Sequence, residues 1–205
     1  MSFRRCNLLA AVLLFVFAFA GANIPDNAAA QGSGGKWSYF KIKPGQFFKY
    51  NMKGERGLNG WLSIKIEDGG GGAFDVTIAG KWTEEFSETA KLKPRKTAFD
   101  LLYSFKNVAI TNAAGGLLDI SADIVDNTML KDGFKWAQGD KSIEVKGGKE
   151  CAGVKGLLVN YTSKLFGRVQ KRTYGVNPDF PLPIYAVIPA ANDTWTYELV
   201  EKKGI

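Results

Sequence analysis

The amino-acid sequence predicts a mainly β protein: a single domain with an antiparallel sheet and one or two short helices, preceded by an N-terminal export signal. Two observations predict this class. Apolar and polar residues alternate with a period of two in six stretches, as in strands with one buried and one wetted face. Glycine-rich and proline-rich segments supply the connections. We assign residues 1–30 to the signal peptide and residues 31–205 to the single antiparallel β domain.

The N terminus has the pattern of an export signal. Arg4 and Arg5 precede an almost unbroken apolar run from Leu8 to Ala20, and small residues follow. A membrane span needs about 20 apolar residues, so this run is short for a span and suits a signal peptide. We therefore expect a periplasmic or secreted protein of the cell envelope that does not span the membrane after cleavage.

Two cleavage sites fit the rule of small residues around the scissile bond. One follows Ala22 and the other follows Ala30, and the sequence leaves both open, although we place the boundary at the second. Cys6 lies before the apolar run, whereas a bacterial lipoprotein needs its cysteine just after the run. A lipid anchor is therefore not expected.

The six alternating sets define the predicted buried face of the sheet. Their intervening residues are mostly polar, as Ser63, Lys65 and Glu67 show, which favours antiparallel pairing with one solvated face. The sets are Phe48, Tyr50, Met52; Leu62, Ile64, Ile66; Phe74, Val76, Ile78; Leu118, Ile120, Ala122, Ile124; Leu157, Val159, Tyr161; and Trp195, Tyr197, Leu199.

The connection between the second and third sets predicts a hairpin. Asp68 and the glycine run 69–72 suit a tight turn, because glycine adopts positive φ without steric cost. A phosphate-binding loop is not expected, because it needs a helix start and a lysine after the glycines, whereas residues 73–76 have the pattern of a strand.

Two further segments depart from the strand pattern. Residues 98–105 are the best helix candidate, although a strand fits this aromatic segment nearly as well. Three prolines in residues 177–183 remove backbone donors, which predicts a crossing loop that leads into strands at 184–188 and 194–201.

The charge is moderately basic. The chain carries +7; Arg4 and Arg5 leave with either cleavage and Asp26 only with the second, so the exported part carries +5 or +6. We interpret the basic residues as solvated; the alternative is a face for anionic headgroups or glycans. Nucleic acid is not an expected partner of an exported protein. The basic clusters are Lys91, Lys93, Arg95, Lys96 and Lys164, Arg168, Lys171, Arg172.

Cys151 has no intramolecular partner once Cys6 leaves with the signal, so no disulfide is expected. Its surroundings suggest a strand, a turn and a second strand. We expect a buried and inert thiol, and the alternative is a disulfide to another chain.

The residue types exclude several kinds of catalysis. Because the chain has no histidine, Ser-His and Cys-His nucleophiles and histidine-bound zinc cannot form. A two-carboxylate glycan hydrolase remains open, and Asp119, Asp123 and Asp126 lack the spacing of a calcium loop. We predict no enzyme, no cofactor, no metal and no catalytic residue. The available carboxylates are Glu84, Glu85, Asp119, Asp123, Glu144 and Glu150.

The C-terminal half resembles LolA-like half-barrel envelope proteins and related uncharacterised periplasmic families. The resemblance rests on a turn at 147–154, a hairpin through 157–161 and 168–174, Phe-Pro-Leu-Pro at 180–183 and a closing strand at 195–201. Residues 37–40 and 44–50 suit the opening strands. The resemblance implies a half-barrel: a strongly curved antiparallel sheet whose concave face is closed by short helices or loops and holds an acyl chain. It carries over no functional residue.

The aromatic residues either line such a pocket or fill an ordinary core, and ligand pockets and cores are both mostly apolar. The sequence leaves this alternative open. The residues concerned are Phe47, Phe48, Trp61, Phe74, Trp82, Phe99, Phe105, Trp136 and Trp195.

Taken together, the sequence predicts a non-enzymatic envelope protein that binds a lipid or other apolar ligand on a curved β-sheet. The first alternative is a structural or assembly partner in a secreted or surface complex, which would use an exposed strand edge. The second is a two-carboxylate glycan hydrolase.

We predict that the abundant form of the protein begins at Asn23 or Gln31. The order of two arginines, an apolar run and small residues is the one that signal peptidase recognises. N-terminal sequencing of protein recovered from expressing cells measures this directly, and an N terminus at Met1 or Ser2 would contradict the signal assignment.

Overall fold

The computed structural model of the protein describes residues 35–93, 96–165, 167–190 and 193–205. The predicted signal peptide and both cleavage sites lie outside the described residues, as does Cys6. The structure described below is that of the predicted β domain from Gly35 onward.

The described residues form ten strands and three helices. The strands are β1 (Phe47–Gly54), β2 (Asn59–Gly70), β3 (Ala73–Lys81), β4 (Glu85–Leu92), β5 (Lys135–Gln138), β6 (Lys141–Cys151), β7 (Val154–Leu165), β8 (Arg168–Val176), β9 (Tyr185–Pro189) and β10 (Thr194–Lys203). The helices are α1 (Ala98–Leu102), α2 (Val108–Leu118) and α3 (Ala122–Asn127), and all three lie between β4 and β5 in the chain.

The ten strands form one sheet in the order β4-β3-β2-β1-β10-β9-β8-β7-β6-β5. Every neighbouring pair is antiparallel, and the first strand pairs with the last, from Phe47 opposite Lys203 to Gly54 opposite Trp195. The sheet is curved and unclosed, with β4 and β5 as its two edges. The predicted mainly β fold class is confirmed.

Five of the six alternating sets lie in strands as predicted. The residues of β1, β2 and β10 in these sets are all buried, and Phe74 and Leu157 are partly buried. Trp195, for example, lies opposite Ile188 on β9, and Tyr197 lies opposite Ala186. One continuous apolar face therefore covers the inside of the sheet.

The remaining set, Leu118 to Ile124, was wrongly interpreted as a strand, because these residues span the end of α2 and the start of α3. Ser121 caps α3 and its hydroxyl accepts a hydrogen bond from the Asp123 amide. The buried positions of α2 follow helical spacing, which the sequence analysis did not weigh against the alternation that follows them. These buried residues are Ile110, Ala113, Ala114, Leu117 and Leu118.

The connections behave largely as the turn chemistry predicts. Gly70, Gly71 and Gly72 all have positive φ (75°, 61° and 78°) and join β2 to β3. The amide of Gly70 donates to the Asp68 carboxylate over 2.9 Å, which fixes the start of this hairpin. The proline-rich segment 177–183 contains no strand, as predicted.

The segment 37–40 does not form an opening strand, contrary to expectation. It runs along the proline-rich segment, where the Trp37 indole donates to the Phe180 carbonyl over 2.8 Å. The Phe40 amide donates to the Pro181 carbonyl over 2.7 Å. Proline lacks an amide donor but keeps its carbonyl, so Pro181 accepts the Phe40 bond without continuing a strand ladder.

The helices cover the concave face. α1 confirms the helix candidate over a shorter range, and a capping box between Thr97 and Asp100 starts it. α2 packs against α1, β3 and β4 on one side and against β9 on the other. Since β4 and β9 are five strands apart in the sheet order, one helix contacts both because the sheet bends around it.

Residues 108–127 are, among the described residues, the one stretch long and apolar enough to cross a membrane by length and composition. The stretch consists of α2 and α3 and is interrupted between Leu118 and Ala122. The buried side chains of α2 account for much of its apolar character, since they form part of the domain core.

We predict opposite effects for two neighbouring glycines of α2. A methyl group on Gly116 would lie 2.8 Å from the buried Tyr197 ring, whereas a methyl group on Gly115 would meet nothing within 4 Å. Gly116→Ala should therefore lower the free energy of unfolding by about 1–3 kcal/mol. Gly115→Ala should raise it by roughly 0.5–1 kcal/mol through helix propensity. Chemical denaturation of both variants checks this, and equal shifts would mean that α2 does not lie this close to β10.

Candidate functional site

An open cleft lies between α2 and one end of the concave face. Its volume is about 440 Å³, within the range of roughly 300–1,000 Å³ typical of small-molecule sites. Its walls come from the β3–β4 turn, the start of β4, α2 and the ends of β9 and β10. The lining residues are Trp82, Thr83, Glu84, Glu85, Phe86, Asn107, Ala109, Asn112, Gly116, Ile188, Ala190, Trp195 and Tyr197.

The aromatic wall of the cleft is formed by side chains that point to the inner face of the sheet, because side chains alternate between the two faces along a strand. Trp195 and Tyr197 lie on the inner face of β10, and Phe86 is a buried residue of β4. The ring centroids of Trp82 and Trp195 are 4.0 Å apart at an interplanar angle of 63°. This edge-to-face pair contributes about 0.5–1.5 kcal/mol beyond burial, so it gives the cleft a defined apolar wall.

The polar residues of the cleft come from the β3–β4 turn and from α2. Asn107 caps α2, and its side-chain oxygen accepts the Ala109 amide over 2.9 Å. The Glu88 carboxylate accepts the amides of Lys106 and Asn107 at 3.0–3.2 Å. These bonds tie the start of α2 to β4, so both walls of the cleft are held in place.

Three tyrosines are buried, Tyr50, Tyr174 and the cleft residue Tyr197, and Tyr39 is partly buried against the core. Desolvation raises the pKa of each of the four phenols. The Tyr39 hydroxyl donates to the Leu118 carbonyl over 2.9 Å, and the Tyr50 hydroxyl donates to the Pro183 carbonyl over 3.0 Å. The hydroxyl of Tyr174 is buried and has no hydrogen-bond partner among the described residues. Because their pKa values lie above the ordinary value, Tyr39, Tyr50, Tyr174 and Tyr197 remain neutral and pack as core residues.

Of the six carboxylates that the sequence offered, Glu84 and Glu85 line the cleft. Both are exposed and both belong to the same wall. The side chain of Glu144 pairs with Lys135 at 3.2 Å on the β5–β6 hairpin. Asp119 and Glu150 are exposed, and neither of them lines the cleft with Glu84 and Glu85.

Asp123 ties α3 to the sheet. Its carboxylate accepts hydrogen bonds from Lys141 at 2.8 Å, Ser121 at 3.0 Å and Tyr161 at 3.2 Å. Burial alone raises its pKa, but these three donors and the Lys141 charge outweigh burial and hold the pKa of Asp123 below its ordinary value. The described residues contain no group of three metal-ligating side chains that could hold an ion, and Asp126 is exposed.

The basic clusters are mostly solvated. Lys91 pairs with Asp75 at 3.2 Å, and Lys96 pairs with Asp100 at 3.4 Å. Exposed pairs of this kind contribute little to stability. Lys93, Lys164, Arg168 and Lys171 are exposed and Arg172 is partly buried, and Arg95 lies outside the described residues.

The aromatic residues divide between core and cleft. Trp82 and Trp195 line the cleft, whereas Phe48 and Phe105 are buried in the core. Phe99 is exposed. Phe47, Trp61, Phe74 and Trp136 are partly buried. Both tryptophans of the cleft are among the aromatic residues that the sequence marks as pocket or core. Their neighbours Asn107, Asn112, Ile188 and Tyr197 could not be predicted, because tertiary packing alone brings α2 to β10.

Cys151 ends β6 at a strand, turn and strand, as predicted, and it is buried with 4% exposure. Its sulfur lies 3.8 Å from the Glu198 carboxylate of β10. Burial, reinforced by the negative charge of Glu198, raises the pKa of the thiol from 9.0 to about 11. The thiol is therefore protonated at neutral pH.

No family model matches the chain, and no curated protein matches it either. Among solved structures, the chain is similar to a protein that is described as a "putative lipoprotein" from Parabacteroides distasonis. The sequences are 9% identical, the match covers 82% of this chain and 99% of that chain, and the TM-score is 0.35. A likeness this low carries no argument, so the resemblance to LolA-like proteins stays a prediction.

We predict that Cys151 reacts slowly with a thiol reagent in the native protein. Since the thiolate is the nucleophile and the pKa is about 11, alkylation at pH 8 should be at least about 100-fold slower than that of an exposed thiol. The comparison is Ala137→Cys in a Cys151→Ser background, because Ala137 is exposed on β5.

We also predict that the stability of the fold depends on pH through the Cys151 thiol. A folded-state pKa above the unfolded value means that the neutral thiol stabilises the fold fully below about pH 9 and loses this effect as pH rises through about 11. Cys151→Ser should remove this component and leave the oligomeric state unchanged. A dimer that reductant dissociates and that Cys151→Ser abolishes would instead support the assembly hypothesis.

Proposed function

We propose that this chain is an exported, non-enzymatic envelope protein that binds an apolar or amphipathic ligand in the cleft between α2 and the concave sheet. The single observation that carries the proposal is the open cleft of about 440 Å³ with a two-tryptophan wall. Export is supported by the arginine, apolar and small-residue order of the first thirty residues.

The lining of the cleft supports a ligand with two unlike ends. Trp82, Ile188 and Trp195 present apolar surface, which favours a hydrocarbon or ring. Glu84 and Glu85 place two carboxylates at the β3–β4 turn, and Asn107 and Asn112 supply amides from α2. An amphipathic molecule fits both the apolar and the polar lining residues. Its polar end should be neutral or cationic, because a negative headgroup would be repelled by the two carboxylates.

The position of α2 limits the length of the ligand. In an open half-barrel, an acyl chain would extend along the concave face, but here Ile110, Ala113 and Leu117 fill its middle. The free space lies at one end of the sheet, beside Asn107, Asn112 and Gly116 of the α2 segment. The proposed ligand is therefore a short acyl chain or a compact ring system, and a long chain would require α2 to move.

A two-carboxylate hydrolase finds little support in this geometry. Glycosidases need carboxylates on both sides of the scissile bond, about 5–5.5 Å apart or further. Glu84 and Glu85 are consecutive residues on one wall, and the opposite wall of the cleft carries amides and alanine. The proposal is accordingly one of binding and not of catalysis.

Assembly through a sheet edge also finds less support than the cleft. β4 is the longer edge, with eight residues, and Lys91 and Glu85 on it form ion pairs with Asp75 and Lys81 of β3. Charged side chains on an edge strand oppose pairing with a second sheet. β5, the other edge, has four residues, which is short for strand addition.

We predict that filling the cleft abolishes ligand retention. Ala109 is an exposed residue of α2 that lines the cleft, so Ala109→Trp should occupy the space without disturbing the core. Solvent extraction of protein purified from its own envelope, followed by mass spectrometry, should show a co-purifying apolar molecule that the variant has lost.

Ala122→Trp is the matched control, because Ala122 is an exposed residue at the start of α3 and does not line the cleft. This variant should retain the molecule at the level of the unchanged protein. Extracts without any stoichiometric molecule, or equal retention in Ala109→Trp and Ala122→Trp, would overturn the proposal.

A further inference from the structure

We infer that the segment from α1 to the start of α2 is a docking surface for an anionic lipid membrane. The surface consists of Phe99, Tyr103 and Val108, which we call the 99–108 patch. Their exposed fractions are 54%, 64% and 69%. The inference is independent of the cleft and of whatever occupies it.

The patch is held in an exposed position by the packing of its own helix. Ala98, Leu101 and Leu102 of α1 are buried, so the opposite side of this short helix faces outward. The Phe99 and Tyr103 rings lie together, with centroids 4.4 Å apart. The capping box of Thr97 and the Glu88 contacts that precede α2 fix both ends of the segment. The aromatic pair is thus a fixed surface feature.

The patch concentrates exposed apolar surface at one place. Three of the seven exposed large hydrophobic residues among the described residues fall within ten positions of the chain. The other four are dispersed and are Leu58, Val169, Val200 and Ile205. Scattered exposed apolar residues are normal, whereas an exposed aromatic pair in direct contact, followed five positions later by the exposed Val108, marks an interaction site.

The charges around the patch identify the partner as an anionic membrane. Lys93, Lys96 and Lys106 are all exposed; the first two precede the patch in the chain, and Lys106 lies between Tyr103 and Val108. Asp100 offsets Lys96 through an ion pair, and Glu88 is committed to the backbone amides before α2. Aromatic rings with lysines beside them are the composition of segments that lie in a membrane interface.

The size of the patch also favours a membrane over a protein. A fully exposed aromatic side chain presents about 150–250 Å², so these three side chains expose roughly 300–400 Å². A stable protein interface buries about 800 Å² on each partner. A membrane needs less area, since a few apolar side chains and several lysines supply additive binding energy, at about 1 kcal/mol for each lysine near an anionic surface.

The test is vesicle sedimentation of the processed protein recovered from expressing cells, with its N terminus verified by mass spectrometry. Vesicles of phosphatidylcholine with about 30% phosphatidylglycerol, which carry a negative surface potential, are compared with vesicles of pure phosphatidylcholine. We expect binding to the anionic vesicles, at least tenfold weaker binding to the neutral ones, and weakening by salt.

The variants separate the patch from the remaining surface. Phe99→Ala with Tyr103→Ala should reduce binding at least tenfold, and Lys93→Gln with Lys106→Gln should reduce it at least threefold. Leu58→Ala with Val169→Ala is the matched control, because it removes exposed apolar side chains elsewhere and should leave binding unchanged. Circular dichroism verifies that each variant is folded.

Two results would overturn the inference. One is the absence of binding to anionic vesicles by the unchanged protein at low salt. The other is equal binding by the aromatic double variant and the control. Equal ligand retention in Ala109→Trp and Ala122→Trp with intact vesicle binding would support the patch alone, so the two proposals fail separately.

Discussion

The packing of α2 against the inside of the sheet is the interaction on which the rest of the structure depends. The sheet has one continuous apolar face, and in water such a face must be covered. α2 covers it by contacting β3, β4 and β9 together, which requires the sheet to curve. Gly116 permits this, since any side chain there would meet the Tyr197 ring. The curvature and the depth of the cleft therefore depend on the same contact.

The pairing of β1 with β10 joins all ten strands into one curved sheet. Each other strand pairs with its neighbour in sequence, so β1–β4 and β5–β10 would otherwise be two separate meanders. The ladder of β1 and β10 joins them along eight residues of β1. Because the helices connect the two free edges in the chain, they lie where the curved sheet leaves its concave side open.

Much of the fold could be predicted from the sequence, because strand burial is a local signal with a period of two. Leu62, Ile64 and Ile66 show it without ambiguity, and all three are buried. The set that begins at Leu118 led to a wrong strand prediction. The end of α2 and the start of α3 place apolar residues at alternate positions there by coincidence. A helix with paired glycines also has low intrinsic propensity, and the Gly115-Gly116 pair concealed α2. The reason for that pair is tertiary, since Gly116 meets Tyr197 from β10.

The candidate site was less predictable than the fold for the same physical reason. Trp82 and Trp195 are 113 positions apart in the numbering, and nothing local indicates that their rings meet. Even so, the structure explains why these two differ from aromatics such as Phe48. Phe48 is buried within the core of the sheet, whereas the two tryptophans lie at the end of the sheet that α2 does not cover completely. An apolar face longer than the helix that covers it leaves a cleft at its end, and here the cleft is walled by the largest side chains of that face.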